Sequence, residues 1–286
     1  MKLRSYGKIN IFLNILGKRE DEYHNIETLI QRIDLFDDIY LKVDKEFQGV
    51  SIEIECDNPQ IPIDHRNLCY KACIWFMGKY RLNGKVHIKI HKNIPICAGL
   101  GGGTSNGAEI IKALNFIYDL NIPVDTLCRE SIVLGADFPY CILGGSVLCE
   151  GIGEKIIKLN SFKDKIILII KPNFGFSTKD VYDNFDLYNI KYNIDKNIII
   201  DYFNNNKFYD VCSNISNVLE YSYVKNMDVI RKLKCKLINS GAINASMTGS
   251  GSAVYGIFDN LYLAQSSYDV FKKEFDQVFL TKTIDD

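Results

Sequence analysis

The stretch Gly99-Leu100-Gly101-Gly102-Gly103 is preceded by Ile94-Pro95-Ile96-Cys97-Ala98 and followed at once by Thr104-Ser105-Asn106. Glycine removes the Cβ atoms that hold a ligand off the backbone, and it permits φ > 0. Behind the loop, Ala108, Ile111, Leu114 and Ile117 or Tyr118 recur at helical spacing, which predicts an amphipathic helix capped by Thr104 or Ser105. A glycine-rich loop running into a helix N-terminus offers bare N–H groups and the positive end of the helix dipole to an anion. The ligand predicted for residues 95–105 is therefore a phosphate chain. The pattern is not a Walker loop, because no lysine follows the glycines. It also misses the dinucleotide fingerprint, which needs an acidic residue in strand context about twenty residues on.

Other residues could do chemistry but carry a plainer reading as well. Ile9, Ile11, Leu13 and Ile15 alternate with Lys8, Asn10, Phe12 and Asn14, so Lys8 and Asn10 share one face of a strand. By pattern alone that is the solvated face of an edge strand. Tyr23-His24 closes a charged turn and reads as a loop packing against the surface. Asp137, in Gly135-Ala136-Asp137-Phe138-Pro139, reads as a turn former. Ser246-Met247-Thr248-Gly249-Ser250-Gly251 precedes an apolar strand and reads as a hairpin or bulge. His87 and His91 lie on one strand face without an evident third ligand, so a solvent-facing strand is expected rather than a metal site.

The order of these pieces resembles the GHMP kinases, whose second motif reads Pro-x-x-x-Gly-Leu-Gly-Ser/Gly-Ser-Ser. Lys8-Ile9-Asn10, the loop 95–105, Leu134-Gly135-Ala136-Asp137-Phe138-Pro139 and the loop at Thr248 match in family order. The triple glycine with Ser-Asn after it is most similar to the branch acting on a cytidine-diphosphate-linked polyol in isoprenoid precursor synthesis. The resemblance implies an α+β, two-domain fold: an N-terminal α/β (S5-like) ATP-binding domain over residues 1–158 and a C-terminal ferredoxin-like domain over 159–286. It implies ATP and Mg²⁺ as cofactors, Asp137 as catalytic base, and Lys8 as the cation that stabilises the forming alkoxide. It places Asn10, Tyr23, His24, Tyr182 and Thr248 at the substrate, with Tyr23-His24 on the cytosine. An aromatic ring can stack on a base while histidine bonds its edge. This chain carries Glu22 where the family commonly has glycine, so a φ > 0 there would be strained. Relatives acting on mevalonate, homoserine or galactose would lack the Tyr-His element. A non-catalytic nucleotide-binding regulator would lack the Lys/Asp pair.

The bulk numbers agree with a small-molecule enzyme. The 286 residues suffice for two modest domains. A net charge of -1 argues against nucleic acid as a partner, and no apolar run approaches a membrane span. The N-terminus lacks the apolar core of a signal peptide, so the cytoplasm is expected, with a monomer or weak homodimer. The nine cysteines include no Cys-x-x-Cys and read as buried free thiols, with no protein metal-ligand set.

The elements that position these residues follow from periodicity. Strands are expected within 26–56, with a turn near Gln48-Gly49 and a helix over about 67–80. Val86, Ile88 and Ile90 form a strand feeding the glycine loop, and a helix runs from about Asp125 to Leu134. Ile166–Ile170 is a buried strand, and the family resemblance implies a strand pair turning at glycines around 144–154 and a substrate loop that begins a helix at Ser177-Thr178. Residues 189–207, rich in Asn, Lys and Ile, are expected to form an exposed connection. A last helix presents Ala264, Tyr268, Phe271, Phe275 and Val278 inward.

Overall fold

The first two strands are long: β1 (Lys2–Lys18), where Ile9, Ile11, Leu13 and Ile15 share one face, and β2 (His24–Asp44), where Ile39, Leu41 and Val43 do. The computed structural model describes residues 1–186 and 195–285. After β2 come β3 (Val50–Cys56), α1 (Leu68–Lys79), β4 (Gly84–His91), α2 (Gly102–Ile117), α3 (Val124–Ser131) and α4 (Phe138–Leu143). Then follow β5 (Ser146–Gly151), β6 (Lys155–Lys158), β7 (Ile166–Lys171), α5 (Thr178–Asp186), α6 (Lys196–Asn204) and α7 (Phe208–Ser213). The chain closes with β8 (Ser216–Asn217), α8 (Met227–Asn239), β9 (Asn244–Met247), β10 (Val254–Phe258), α9 (Leu261–Phe271) and β11 (Gln277–Lys282).

The chain gathers into two compact units, each assembled from separate segments. The first comprises Met1–Gly7, Leu35–Ile94 and Gly101–Leu143. In it β4 lies between β2 and β3, antiparallel to Asp38–Asp44 of β2 and parallel to β3. The turn after β2 therefore does not make a hairpin: α1 carries the chain across to bring β4 beside β3, as parallel neighbours require. Ile39, Leu41, Val86, Ile88 and Ile90 are buried, as are Cys69, Ala72, Cys73, Phe76 and Met77 of α1. Asn67 caps α1 by accepting the Cys69 N–H at 2.8 Å. The two strand histidines pair across the ladder, His87 with Glu55 at 3.0 Å and His91 with Asp57 at 3.1 Å.

The second unit comprises Lys8–Asp34, Pro95–Leu100 and Gly144–Asp286. In it β2 pairs antiparallel with β5, and β5 with β6, the strand pair expected at the glycines. A separate four-stranded antiparallel sheet has the order β11-β7-β10-β9. With α8 between β7 and β9 and α9 between β10 and β11, this is the split β-α-β-β-α-β arrangement, the expected ferredoxin-like half. Its core joins Leu168, Ile170, Val254 and Phe258 of the strands to Ile230, Leu233 and Leu237 of α8 and to Ala264 and Phe271 of α9.

Several expectations are corrected. The Asn-, Lys- and Ile-rich segment is not simply an exposed connection: its residues 189–194 lie outside the described residues, but α6 follows and buries Ile199 and Phe203. These apolar residues are four apart, one helical face. Phe203 stacks on Phe162 with ring centroids 4.7 Å apart. The last helix ends at Phe271, and Val278 lies on β11 instead. The cysteines are all free, but Cys97 and Cys235 are exposed rather than buried. Among the described residues no helix is long and apolar enough to cross a membrane.

Candidate active site

The polar face of β1 is not solvated. Lys8, Asn10, Phe12 and Asn14 are all buried, as are Ile9, Ile11 and Leu13 opposite them. Both faces are covered, so the polar residues must find partners inside. Lys8 Nζ donates to Asn10 Oδ1 at 2.6 Å. Asn10 Nδ2 donates to Thr28 Oγ1 at 2.8 Å, which fixes the carboxamide with its oxygen toward the ammonium. The Asn10 N–H donates to Thr248 Oγ1 at 3.1 Å, and the Tyr255 hydroxyl donates to the Asn10 carbonyl at 2.8 Å. Among the described residues of its own unit the Lys8 ammonium, only 6% exposed, meets no carboxylate. A desolvated cation with one neutral acceptor strongly favours an anion that can approach it.

In the same unit the loop 95–100 is laced to the loop at 248–253. Ser252 N–H donates to the Cys97 carbonyl at 3.3 Å and Ala253 N–H to the Ala98 carbonyl at 3.1 Å. Thr248 Oγ1 lies 3.2 Å from the Gly99 carbonyl, and Lys8 N–H donates to the Leu100 carbonyl at 3.0 Å. Gly99 has φ +75°, and a Cβ there would sit 2.0 Å from the Thr248 carbonyl oxygen, so no side chain fits. Pro95 and Ile96 are half-buried, Ala98 and Leu100 are buried, and Cys97 is exposed.

The remainder of the glycine stretch belongs to the first unit. There α2 begins at Gly102 with Gly101, φ 71°, as its cap, and no side chain caps it. Thr104 and Ser105 are thus inside the first turn, not the cap expected. The left-handed glycine turns the chain into the helix early. Ser105 is spent elsewhere: its Oγ donates to the Tyr6 carbonyl at 2.7 Å and lies 2.9 Å from Ser5 Oγ. The N–H groups of Gly102, Gly103 and Thr104 have no intrahelical acceptor, and no acidic residue occupies the first turn. That is an anion site left open at the positive end of a helix.

Two residues that sequence reasoning missed support this helix start. Asp37, fully buried, accepts the N–H groups of Asn93 and Ile94, each at 2.8 Å, and pairs with the Lys92 ammonium. The Lys92 Nζ lies 3.2 Å from where a Gly102 Cβ would stand. Asp37 sits in the middle of a strand and carried no local signal.

Asp137 stands at the start of α4, half-buried, and its carbonyl accepts the Cys141 N–H at 3.0 Å. Among the described residues of the unit no side-chain hydrogen bond occupies its carboxylate. The following Phe138 is fully buried against Gly107 of α2, where a Cβ would come within 2.9 Å of the Phe138 ring. That contact fixes the height of α4 against α2.

In the second unit His24 is 7% exposed and its ring centroid lies 4.9 Å from that of Tyr182, so the structure brings these two expected substrate residues together. Tyr23 is 60% exposed, so its ring is accessible to a ligand. Its turn does adopt the feared geometry, with Glu22 at φ +67°. The turn is held by the Tyr23 carbonyl accepting from Arg19 N–H at 2.7 Å and by an Arg19–Asp21 pair at 2.7 Å. A further buried cation, Lys171, donates to the carbonyls of Pro172 at 2.8 Å and Phe174 at 2.7 Å, and burial pulls its pKa down.

Among the described residues no three His, Cys, Asp or Glu side chains gather as a metal site. The first unit thus provides an anion-binding helix start and the Asp137 carboxylate, and the second a buried ammonium and an exposed aromatic next in sequence to a buried histidine.

Comparison with known proteins follows the same lines. The family model for the GHMP kinases N terminal domain matches residues 67–145, and that for GHMP kinases C terminal matches residues 202–277. The chain is 43% identical over 284 residues to a 4-diphosphocytidyl-2-C-methyl-D-erythritol kinase of Clostridium novyi (strain NT), covering 99% of this chain and 100% of the relative. It is 44% identical over 285 residues to the protein of the same name from Clostridium beijerinckii (strain ATCC 51743 / NCIMB 8052), with 99% and 100% covered. A crystal structure of 4-(cytidine 5'-diphospho)-2C-methyl-D-erythritol kinase superposes with a TM-score of 0.81 at 23% identity, covering 99% of each chain, and shows the same fold.

Proposed function

The chain belongs to the GHMP kinases, and we propose that it transfers the γ-phosphoryl group of ATP to the 2-hydroxyl of 4-diphosphocytidyl-2-C-methyl-D-erythritol. The observation that carries this reading is end-to-end similarity to relatives of that name, with the Lys8–Asn10 pair and the open start of α2 intact.

Phosphoryl transfer needs positioning and charge stabilisation more than covalent help. The backbone N–H groups of residues 102–104 receive phosphate oxygens, and the loop 95–101 approaches them closely because glycine leaves no side chain in the way. Asp137 accepts the proton of the attacking hydroxyl. Lys8 sets its positive charge against the alkoxide that forms, with Asn10 aiming the ammonium. Losing either Lys8 or Asp137 is expected to cost roughly 10²–10⁴ in turnover. Tyr23 stacks on the cytosine while His24, braced by Tyr182, bonds its edge; Thr248 holds Asn10 in place.

The donor chemistry fits a magnesium ion that arrives with the nucleotide, because the ion prefers phosphate oxygens and water to an all-protein cage. The Thr104 hydroxyl, without a hydrogen-bond partner among the described residues, is the protein oxygen that would help hold it; Ser105 is already engaged. The ion supplies neutralisation of charge on the transferring phosphoryl oxygens. We further propose a division of the chain at 158/159, a cytoplasmic location and a monomer or weak homodimer. The two family-model matches fall on either side of that division, which supports it.

Incubation with γ-labelled ATP and the cytidylylated alcohol tests the reaction. Label recovered as the 2-phosphate of the alcohol is expected; label released only as inorganic phosphate would overturn it.

A further inference from the structure

The segment Asn217-Val218-Leu219-Glu220 lies outside every role given above, yet its two polar side chains are buried, Asn217 at 3% and Glu220 at 8% exposure. Asn217 Nδ2 donates to the Met247 carbonyl at 2.9 Å and to the Gly249 carbonyl at 2.7 Å, while its Oδ1 accepts the Leu219 N–H at 3.0 Å. Glu220 Oε1 accepts from Ser246 Oγ at 2.9 Å and from the Met247 N–H at 2.8 Å, and its other oxygen pairs with the Lys234 ammonium. Two side chains three residues apart therefore grip residues 246–249. The same segment is pinned to β1 from the other side, since β8 pairs in parallel with Phe12 and Leu13.

What they grip carries the reacting groups. Thr248, between the two carbonyls that Asn217 holds, is fully buried and accepts the Asn10 N–H. Gly249 has φ +53°, and a Cβ there would stand 3.3 Å from Lys8 Nζ. Donation to the carbonyls on both sides of Thr248 fixes the orientation of its peptide, and through it the Asn10–Lys8 bond.

We propose that Asn217 and Glu220 are positioning residues for phosphoryl transfer, clamping loop 246–249 so that Thr248 and Gly249 hold Asn10 and Lys8 in place. This deepens the kinase reading and rests on it for the reaction, though not for the clamp. Asparagine is needed at 217 because aspartate, of the same shape, keeps the acceptor for Leu219 but cannot donate to two carbonyls. Glutamine at 220 keeps an acceptor for Met247, so the grip there is weakened less.

The test compares Asn217→Asp and Glu220→Gln with the parent chain, each alone and combined with Lys8→Met. Asn217→Asp is expected to lower kcat by about 10–100-fold with KM for either substrate changed by less than about threefold, the effect of a small misplacement. In the Lys8→Met background the further loss should shrink to below about threefold, because residues acting through one group are not additive. Glu220→Gln should cost less than Asn217→Asp. An equal fold-loss in both backgrounds, or an unchanged kcat in the folded Asn217→Asp variant, would overturn the proposal. Amide hydrogen exchange separates the clamp from the reaction. Residues 247–251 should exchange about tenfold faster in Asn217→Asp while β10 is unchanged. Unaltered exchange would overturn the clamp, whereas a parent chain that exchanges as expected but turns over no substrate would overturn the kinase reading alone.

Discussion

Replacing Asp37 by asparagine keeps the shape of the side chain and one carbonyl oxygen for the N–H groups of Asn93 and Ile94, but it removes the charge opposite Lys92. The pair is dry: the Asp37 side chain is 0% exposed and that of Lys92 is 4%. Among the described residues Lys92 Nζ has no other partner, and it lies beside the first turn of α2, whose dipole is positive there. Breaking a buried pair by removing one member costs about 3–5 kcal/mol, since the remaining charge stays buried without compensation. For a domain of ordinary size that is a fall in Tm of ~6–20 °C. A double variant, Asp37→Asn with Lys92→Met, removes the stranded ammonium and should recover most of the loss. Urea unfolding of the parent, the two single variants and the double variant supplies the cycle. A single variant within about 1 kcal/mol of the parent, or a double variant no better than Asp37→Asn, would refute the assignment of this pair as the support beneath the helix start.

Other consequences are open to direct measurement. Glu22→Gly should stabilise the chain by a net of about 0.5–1 kcal/mol, because relief of the left-handed φ exceeds the entropy cost of glycine, and the exposed Lys18 pair adds little; denaturant titration checks it. Thiol titration should modify the exposed Cys97 and Cys235 first, because burial pushes Cys69 and Cys212 up to about 12. Mg-ATP at about ten times its Kd should slow Cys97 about tenfold while leaving Cys235 unchanged, and equal protection of both would remove the glycine loop as the nucleotide site. Burial holds the Lys171 pKa below its ordinary 10.5, so below the lowered value both folded and unfolded chains are protonated and the cost of burying the charge is fully present. As pH rises through the lowered value toward 10.5 the folded chain loses its proton first, and the Lys171 contribution to stability increases. Lys171→Met should flatten that part of the stability–pH curve, read by denaturant unfolding across the window.

The sequence made the chemistry of the site more legible than its supports. Residues 95–105 read as an anion loop because glycine chemistry is a local signal, whereas Lys8, Asp137 and the Tyr23-His24 turn read plainly by pattern and were singled out only by the resemblance to the kinase family. The ferredoxin-like half was within reach through the family resemblance, with β7 legible on its own as the continuous apolar run of a buried strand. What escaped is decided by distant partners. Alternation in β1 could not tell a solvated polar face from a buried one, and Lys8, Asn10 and Asn14 are inside because both faces are covered. The pairing of β3 with β4 rather than β2 depends on the path of α1. The start of α2 was misplaced because the side-chain oxygens of Thr104 and Ser105 signal a cap, whereas Gly101 takes the cap position in a left-handed conformation with no side-chain bond. Compositional bias hid the Ile199–Phe203 face of α6. Asp37, Asn217 and Glu220 act across long stretches of chain, and nothing in their immediate neighbours announces it.

The most direct test of the central claim is ADP release from Mg-ATP by the purified chain, run in parallel with 4-diphosphocytidyl-2-C-methyl-D-erythritol and with the same methylerythritol phosphate lacking cytidine. The account predicts sustained release with the cytidylylated compound alone. Release with both compounds at similar rates, or with neither while ATP still binds, would contradict it.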